Sequence, residues 1–115
     1  MEHTMHLYDR PFRMVAHGYK TIDLRINDEK RQSVSIGDLI TFYNLDSENE
    51  EQISVVVIGL ITFGTFKDLY REVNLLKCGY TAGNVEFASP KDMVYYNTDE
   101  ERKYGVVGIC FRLLE

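Results

Sequence analysis

Three charged side chains stand close together near the start of the chain, at a spacing that could support chemistry. Lys20, Asp23 and Arg25 place an amine, a carboxylate and a guanidinium within one short stretch that runs from Gly18 to Arg31. A lysine beside a carboxylate could hold a polar ligand, or could act in catalysis with Lys20 activated by burial and Asp23 as the base. The same groups could also only pair with each other and hold the fold, usually with a small gain in stability. The residues therefore leave a binding module, an enzyme and a structural pair as alternatives.

A predicted strand from Lys20 to Ile26 positions these groups. Its residues alternate, so the polar ones fall on one face of the strand and the apolar ones on the other. The polar face carries Thr21, Asp23 and Arg25, and the apolar face carries Ile22, Leu24 and Ile26. A charged run follows, either as one helical turn or as a loop, and brings Lys30 and Arg31 to the rim of the same region.

The charge of the chain is unevenly distributed, which bears on the kind of ligand expected. The net charge is −5. Residues 1–35 hold six Lys/Arg and five Asp/Glu, a balance of +1, and residues 36–115 hold seven and thirteen, a balance of −6. A polyanion is therefore expected to bind the first third and to be repelled elsewhere. This favours a small nucleotide or a short single strand, with Tyr8, Tyr19 and Tyr43 as candidate stacking surfaces.

The remaining elements predict an α+β protein with a mostly antiparallel, curled sheet, because helical crossovers between successive parallel strands are missing. The predicted strands are 4–8, 20–26, 39–44, 53–63 and a final strand after Gly105, with a bend or bulge at Gly59. The predicted helices begin at an Asp9 N-cap, at a Thr65 cap with an end at Gly79, at Ser89 and at a Thr98 capping box. One core is predicted from Ile22, Leu24, Val57, Ile61, Val107, Ile109 and Phe111.

Length and composition exclude several classes of protein. A chain of 115 residues is expected to form a single domain over 1–115. No apolar run approaches the roughly 18 residues of a membrane span, and the first residues lack the layout of a signal peptide, so a soluble, cytoplasmic protein is expected. Cys78 and Cys110 predict two reduced thiols. The spacing of the three histidines does not favour a metal site, and no cofactor is expected.

The motif Gly18-x-Lys20-x-x-Asp23-x-Arg25 resembles the Gly-x-Lys-x-x-Glu-x-Arg signature of the ASCH domain family, within the PUA-like superfamily. Pro11-Phe12 before the signature, Gly37-Asp38 after it and the closing segment Tyr104–Ile109 also resemble small bacterial single-domain members. Asp23 departs from the usual glutamate and is one methylene shorter. The segment 64–98 matches no family motif.

This resemblance implies a small, mostly antiparallel PUA-like β-barrel flanked by helices, with a cleft that faces RNA, a nucleotide or a modified nucleoside. The residues expected to bind the ligand are Lys20, Asp23, Arg25, Lys30, Arg31 and Tyr19. The resemblance also implies an alternative, because some bacterial relatives are amidohydrolases that deacetylate acetylated cytidine with a lysine, a threonine and a glutamate. Lys20 matches that lysine, but Asp23 stands at the threonine position.

Two further points concern an enzymatic role. Glu72 and Glu86 are the nearest candidates for the distant glutamate, by region alone. Ribonuclease activity, known for some family members, is less favoured, since the chain lacks a plausible pair of site histidines. If the protein is an enzyme, Lys20 and Asp23 are the expected catalytic residues.

Overall fold

The computed structural model describes residues 1–93 and 98–114, which form a sheet flanked by short helices. The strands are β1 (Glu2–Leu7), β2 (Ile22–Ile26), β3 (Leu39–Asn44), β4 (Gln52–Phe63) and β5 (Val106–Leu113). The helices are α1 (Asp9–Ala16), α2 (Glu29–Gln32), α3 (Phe66–Glu72) and α4 (Thr98–Tyr104), and 3₁₀ turns span Leu75–Lys77, Val85–Phe87 and Pro90–Asp92.

The strands form one mixed sheet in the order β1-β3-β4-β5-β2. Only the β1–β3 pair is parallel among the described pairings; β3–β4, β4–β5 and β5–β2 are antiparallel. The sheet curls into a half-barrel with helices at its sides. This confirms the predicted α+β class and the mostly antiparallel sheet. The irregularity predicted at Gly59 is also confirmed, because the register of β4 against β5 shifts between Val57 and Gly59.

The prediction of one core is wrong, because the apolar residues divide into two clusters on opposite faces of the sheet. Val57, Val107, Ile109 and Phe111 belong to the first cluster, with α1 and β1. Ile22 and Leu24 belong to the second, with Phe66 and Leu69 of α3. Ile61 is 38% exposed.

The pairing of β2 with β5 explains this division. Asp23 lies opposite Ile109 and Arg25 lies opposite Val107, so the polar row of β2 shares its face with the first cluster. The apolar row therefore faces the other way, where Leu24 lies opposite Gly108. A Cβ at Gly108 would come within 3.2 Å of Ile22 Cγ2, so the absence of a side chain there lets the apolar row of β2 approach β5.

Several element boundaries differ from the predicted ones. The second strand begins at Ile22 rather than Lys20, and the first occupies Glu2–Leu7. The helix cap at Thr65 is confirmed, since the backbone N–H of Asp68 donates to its hydroxyl. The helix ends at Glu72 rather than near Gly79, because Val73 is extended and Asn74 caps the next turn.

Two of the predicted helix caps differ from those in the structure. Asp9 is not an N-cap: it is the first helical residue, and its carboxylate accepts from Arg13 and Asn44 instead. The predicted capping box begins at Thr98, but Thr98 is the first residue of α4 and not the residue before the helix, and Glu101 Oε2 accepts from the backbone N–H of Phe66.

Candidate functional site

The candidate site is centred on the carboxylate of Asp23, the second residue of β2. Asp23 is 2% exposed and lies between two cations. Its Oδ1 is 3.2 Å from Lys20 Nζ, and its Oδ2 accepts from Arg25 Nε at 2.6 Å. Arg25 Nη2 also donates to the backbone oxygen of His6 at 3.0 Å. The strand period of two brings Asp23 and Arg25 to one face, as their alternation predicts.

Lys20 is placed by the connection that joins α1 to β2. Gly18 ends the helix with a φ of +80°, a left-handed conformation that favours glycine. The backbone N–H of Lys20 then donates to the oxygen of Met14, and that of Thr21 donates to Lys77. Lys20 is 8% exposed, so its ammonium is held beside Asp23 rather than extended into water.

The two cations decide the charge of the buried carboxylate. Burial alone would raise the pKa of Asp23, but the charges of Arg25 and then Lys20, together with their hydrogen bonds, outweigh it and lower the pKa below its usual value. Asp23 is therefore ionised at neutral pH. A carboxylate with a lowered pKa is a weak base, so this arrangement suits an anchor better than a proton acceptor.

Two adjoining cavities open beside Lys20. The outer cavity, of about 410 Å³, is lined by Asp23 and Arg25 and also by His6 and Tyr8. The inner cavity, of about 180 Å³, reaches Cys78 and Tyr80. Both cavities are lined by Pro11, Lys20, Leu24, Asp92 and Met93. Lys20 thus lies where the two cavities meet, and together they form one cleft.

Asp92 is a candidate functional residue that the sequence did not reveal. Tyr80 donates its hydroxyl hydrogen to Asp92 Oδ2 at 2.6 Å, and the backbone N–H of Ser89 donates to the same oxygen at 3.2 Å. The hydroxyl of Tyr70 lies 2.8 Å from that of Tyr80. Burial, and then the hydrogen bond to Asp92, raises the pKa of Tyr80, so its hydroxyl stays protonated. The only sequence signal for Asp92 was the turn at Ser89-Pro90, which marks the start of a helix and not a ligand.

The inner end of the cleft also contains a thiol and a glycine. Cys78 is buried, and burial raises its pKa to about 11 although the charge of Lys20 opposes this. The thiol is therefore neutral and a poor nucleophile at neutral pH. Gly79 has a φ of +108°, and a Cβ there would lie 3.9 Å from Lys20 Nζ. The positive φ favours glycine at this position, whereas a Cβ would make only an ordinary van der Waals contact with Lys20.

Lys30 and Arg31 lie beside Arg25 rather than in the cleft, since neither lines the two cavities. Partial burial, followed by the positive charges of Arg31 and Arg25, lowers the pKa of Lys30. The three side chains thus form a basic cluster at the outer end of the cleft. Asp28 balances it in part, because Arg31 Nη1 donates to its carboxylate at 3.3 Å.

The other predicted residues have different positions. Tyr19 is 69% exposed and lines a third cavity, of about 460 Å³, beyond the inner one. Tyr8 is exposed at the outer cavity, whereas Tyr43 is half-buried against the His6 ring and lines none of the three cavities. Glu72 and Glu86 are exposed and also lie outside the three cavities.

Residues 1–93 and 98–114 lack two features that mark other classes of protein. They contain no group of three or more His, Cys, Asp or Glu side chains that could hold a metal ion. None of the helices in these ranges is both long enough and apolar enough to cross a bilayer.

The mixed sheet curled into a half-barrel and flanked by helices is a PUA-like fold. The ASCH domain profile matches residues 5–115, and the chain belongs to the ASCH domain family. The resemblance seen in the Gly18–Arg25 motif is thereby confirmed over nearly the whole chain.

Two solved structures share this fold. The crystal structure of hypothetical protein PH0355 is 27% identical, with a TM-score of 0.80, and the match covers 99% of this chain and 100% of that one. The solution NMR structure of protein PF0455 from Pyrococcus furiosus is 28% identical, with a TM-score of 0.72, covering 100% of this chain and 99% of that one. No curated protein sequence matches the chain significantly.

Proposed function

We propose that this protein binds a nucleotide segment of single-stranded RNA in the cleft next to Lys20. ASCH domains are generally linked to RNA binding, and the chain belongs to that family. The observation that carries the proposal is the buried Asp23 carboxylate, which holds two cations at the wall of a 410 Å³ cavity. Such a group is already ordered before the ligand binds, and this lowers the entropic cost of binding.

Each residue of the group has its own role. Asp23 orients Lys20 and Arg25 and offsets one of their two positive charges, so the group keeps a net positive charge when the cleft is empty. The Lys20 ammonium has three N–H donors; one points to Asp23, and the others meet no acceptor among the described residues, so they are available to a ligand. Arg25 connects the cleft to the basic cluster with Lys30 and Arg31, where phosphate oxygens would bind.

The electrostatics favour binding over catalysis. The lowered pKa of Asp23 makes it a weak general base, and the Cys78 thiol is neutral. Glu72 and Glu86 lie outside the cleft, so neither supplies the carboxylate that the amidohydrolase mechanism of some relatives uses. A direct assay of acetylated cytidine tests the alternative: we expect no release of acetate, and turnover that Lys20→Met abolishes would replace the binding proposal with an enzymatic one.

Fluorescence anisotropy with a short labelled RNA of mixed sequence tests the binding proposal. Affinity should fall as salt rises, because phosphate contacts release counterions. Lys20→Met, which keeps the aliphatic stem, should abolish or strongly weaken binding. The matched control is Lys67→Met, on the exposed surface of α3, which should bind like the parent protein. An affinity that salt does not change, or equal affinities for the two variants, would contradict the proposal.

A further inference from the structure

The charge of the cleft changes along its length. The outer end is basic, with Arg25 next to Lys30 and Arg31. The middle contains both the carboxylate of Asp92 and the ammonium of Lys20, since each residue lines the outer and the inner cavity. Beyond it, Arg10 lines the inner cavity and continues into the third. A ligand that follows the cleft therefore meets cations at both ends and, between them, one cation beside one anion.

The exposed carboxylate of Asp92 gives the middle of the cleft a hydrogen-bond acceptor on the same walls as the Lys20 donor. Its Oδ2 is held by Tyr80 and Ser89, while its Oδ1 meets no donor among the described residues. The same oxygen accepts readily from an N–H or O–H group. The middle of the cleft thus favours the uncharged, hydrogen-bonding part of a nucleotide, next to the apolar surfaces of Leu24 and Met93.

Arg10 differs from the other arginines of the first third. It is exposed on α1, and no carboxylate in residues 1–93 and 98–114 forms an ion pair with it. Arg13, on the same helix, is by contrast paired with Asp9 and Glu51. An unpaired guanidinium at the junction of two cavities is a suitable partner for a phosphate, which it can bind through two parallel hydrogen bonds.

The third cavity adds a surface beyond this cation. It is continuous with the inner cavity, because Arg10, Met14 and Tyr80 line both. Tyr19, with its ring 6.3 Å from that of His17, presents an exposed aromatic face there. Such faces stack on bases of single-stranded nucleic acid without strong preference for sequence.

We infer that the cleft takes an internal nucleotide of a single strand, with one flanking phosphate at Arg25, Lys30 and Arg31 and the other at Arg10, and with the next base on Tyr19. The inference rests on the proposed function and extends it, because a free nucleoside or a mononucleotide would leave one or both cationic ends unused. It assigns Arg10 to the site, a residue that the signature does not include.

Isothermal titration with small nucleotides tests this directly. The nucleosides of the four common bases are compared with their 3′-monophosphates, 5′-monophosphates and 3′,5′-bisphosphates. The bisphosphate of the best-bound base should bind about tenfold more tightly than either monophosphate, as a second charge-assisted contact predicts. Arg10→Ala should remove this gain, so that the bisphosphate binds like one of the monophosphates.

Controls separate this result from a general loss of charge or of structure. Arg102→Ala changes an exposed residue of α4 that lines none of the three cavities, and this variant should keep the full gain. Tyr19→Ala should weaken a dinucleotide and leave the bisphosphate unchanged, while Phe87→Ala, another exposed aromatic, should change neither. Thermal denaturation should show that all four variants fold.

The outcomes distinguish the two proposals. Equal affinity for bisphosphate and monophosphates, or a gain that survives Arg10→Ala, would overturn the inference. If the short RNA binds but no small nucleotide does, the inference fails and the proposed function stands. If neither binds, both fail.

Discussion

Asp23 and Asp38 are two carboxylates with similar surroundings and different positions. Each is nearly buried and has two partners that can carry positive charge: Lys20 and Arg25 for Asp23, His3 and the N-terminal amine for Asp38. In both cases the pKa of the carboxyl is lowered. Asp23 lines the outer cavity, however, whereas Asp38 lines none of the three cavities and also accepts from the backbone of Ser35.

A buried, paired carboxylate marks a rigid point of the fold. It becomes a candidate site only where a cavity adjoins it. Asp38 braces the start of β3 against β1, since His3 Nε2 lies 2.8 Å from its Oδ2. Asp23 braces β2 in the same way, and in addition holds two cations at the wall of a cleft. We therefore expect both carboxylates to matter for stability and only the Asp23 group to matter for binding.

The largest expected effect is the loss of protein stability when Asp23 is replaced. Asp23→Ala leaves two cations without their buried counter-charge, which should lower the free energy of unfolding by about 3–5 kcal/mol. Asp38→Ala should cost less, because one of its partners, the N-terminal amine, is well exposed to water. Urea denaturation of the two variants measures the difference. Equal losses in the free energy of unfolding would contradict this expectation. They would show that the exposure of a partner to water does not change how much each carboxylate stabilises the fold.

The next effect separates stability from binding. Arg25→Gln removes a charge-assisted hydrogen bond to Asp23 and should lower the free energy of unfolding by roughly 1.5–3 kcal/mol. It should also weaken RNA binding and reduce the slope of log affinity against log salt by about 1.

His3→Gln is the matched change at Asp38. It should lower stability, because Asp38 loses a partner, and should leave RNA affinity and its salt slope unchanged. A loss of RNA binding in His3→Gln would mean that the Asp38 group belongs to the binding surface.

A smaller effect is expected from pH. The hydrogen bond from His3, and then that from the Ser35 backbone, lowers the pKa of Asp38 from 3.8 to about 2. Because the folded pKa lies below the unfolded one, the stability that Asp38 contributes is complete above about pH 4 and is lost as the pH falls to about 2. Asp38→Asn should therefore flatten the fall of the urea midpoint in this window. An unchanged pH profile would argue against an ionised Asp38 in the fold.

The core of the candidate site could be predicted from the sequence because it depends on local geometry. A strand repeats every two residues, so the spacing of Asp23 and Arg25 alone places both on one face. The Asp23–Arg25 contact follows from that, and Lys20 follows from the bend at Gly18. The half-barrel was predictable through the family resemblance and the absence of crossover helices.

The far wall of the cleft could not be predicted, because it depends on tertiary packing. Asp92 and Tyr80 lie in a segment of 3₁₀ turns with no hydrophobic period. Only the folded chain brings this segment to Lys20. The division into two cores was missed for a related reason: alternation shows which residues of β2 share a face, while the register against β5 decides which side of the sheet that face meets.

The smallest expected effect concerns two carboxylates that are exposed to solvent and line none of the three cavities. Glu72→Gln and Glu86→Gln change exposed residues outside the cleft, and each should alter the free energy of unfolding by no more than about 0.5 kcal/mol. RNA affinity should also stay close to that of the parent protein. A marked loss of binding or of any turnover in either variant would move the functional site away from the Asp23 group.

An NMR titration of the ¹⁵N-labelled protein with a short single-stranded RNA tests the central claim most directly. The account predicts that amide shift changes concentrate at Lys20, Arg25, Tyr80 and Asp92, which line the cleft, and at Tyr19, which lines the third cavity. The amides of Ser35 and Asp38, around the matched carboxylate, should stay in place. Shift changes centred on Asp38, or a spectrum that the RNA leaves unchanged at low salt, would contradict it.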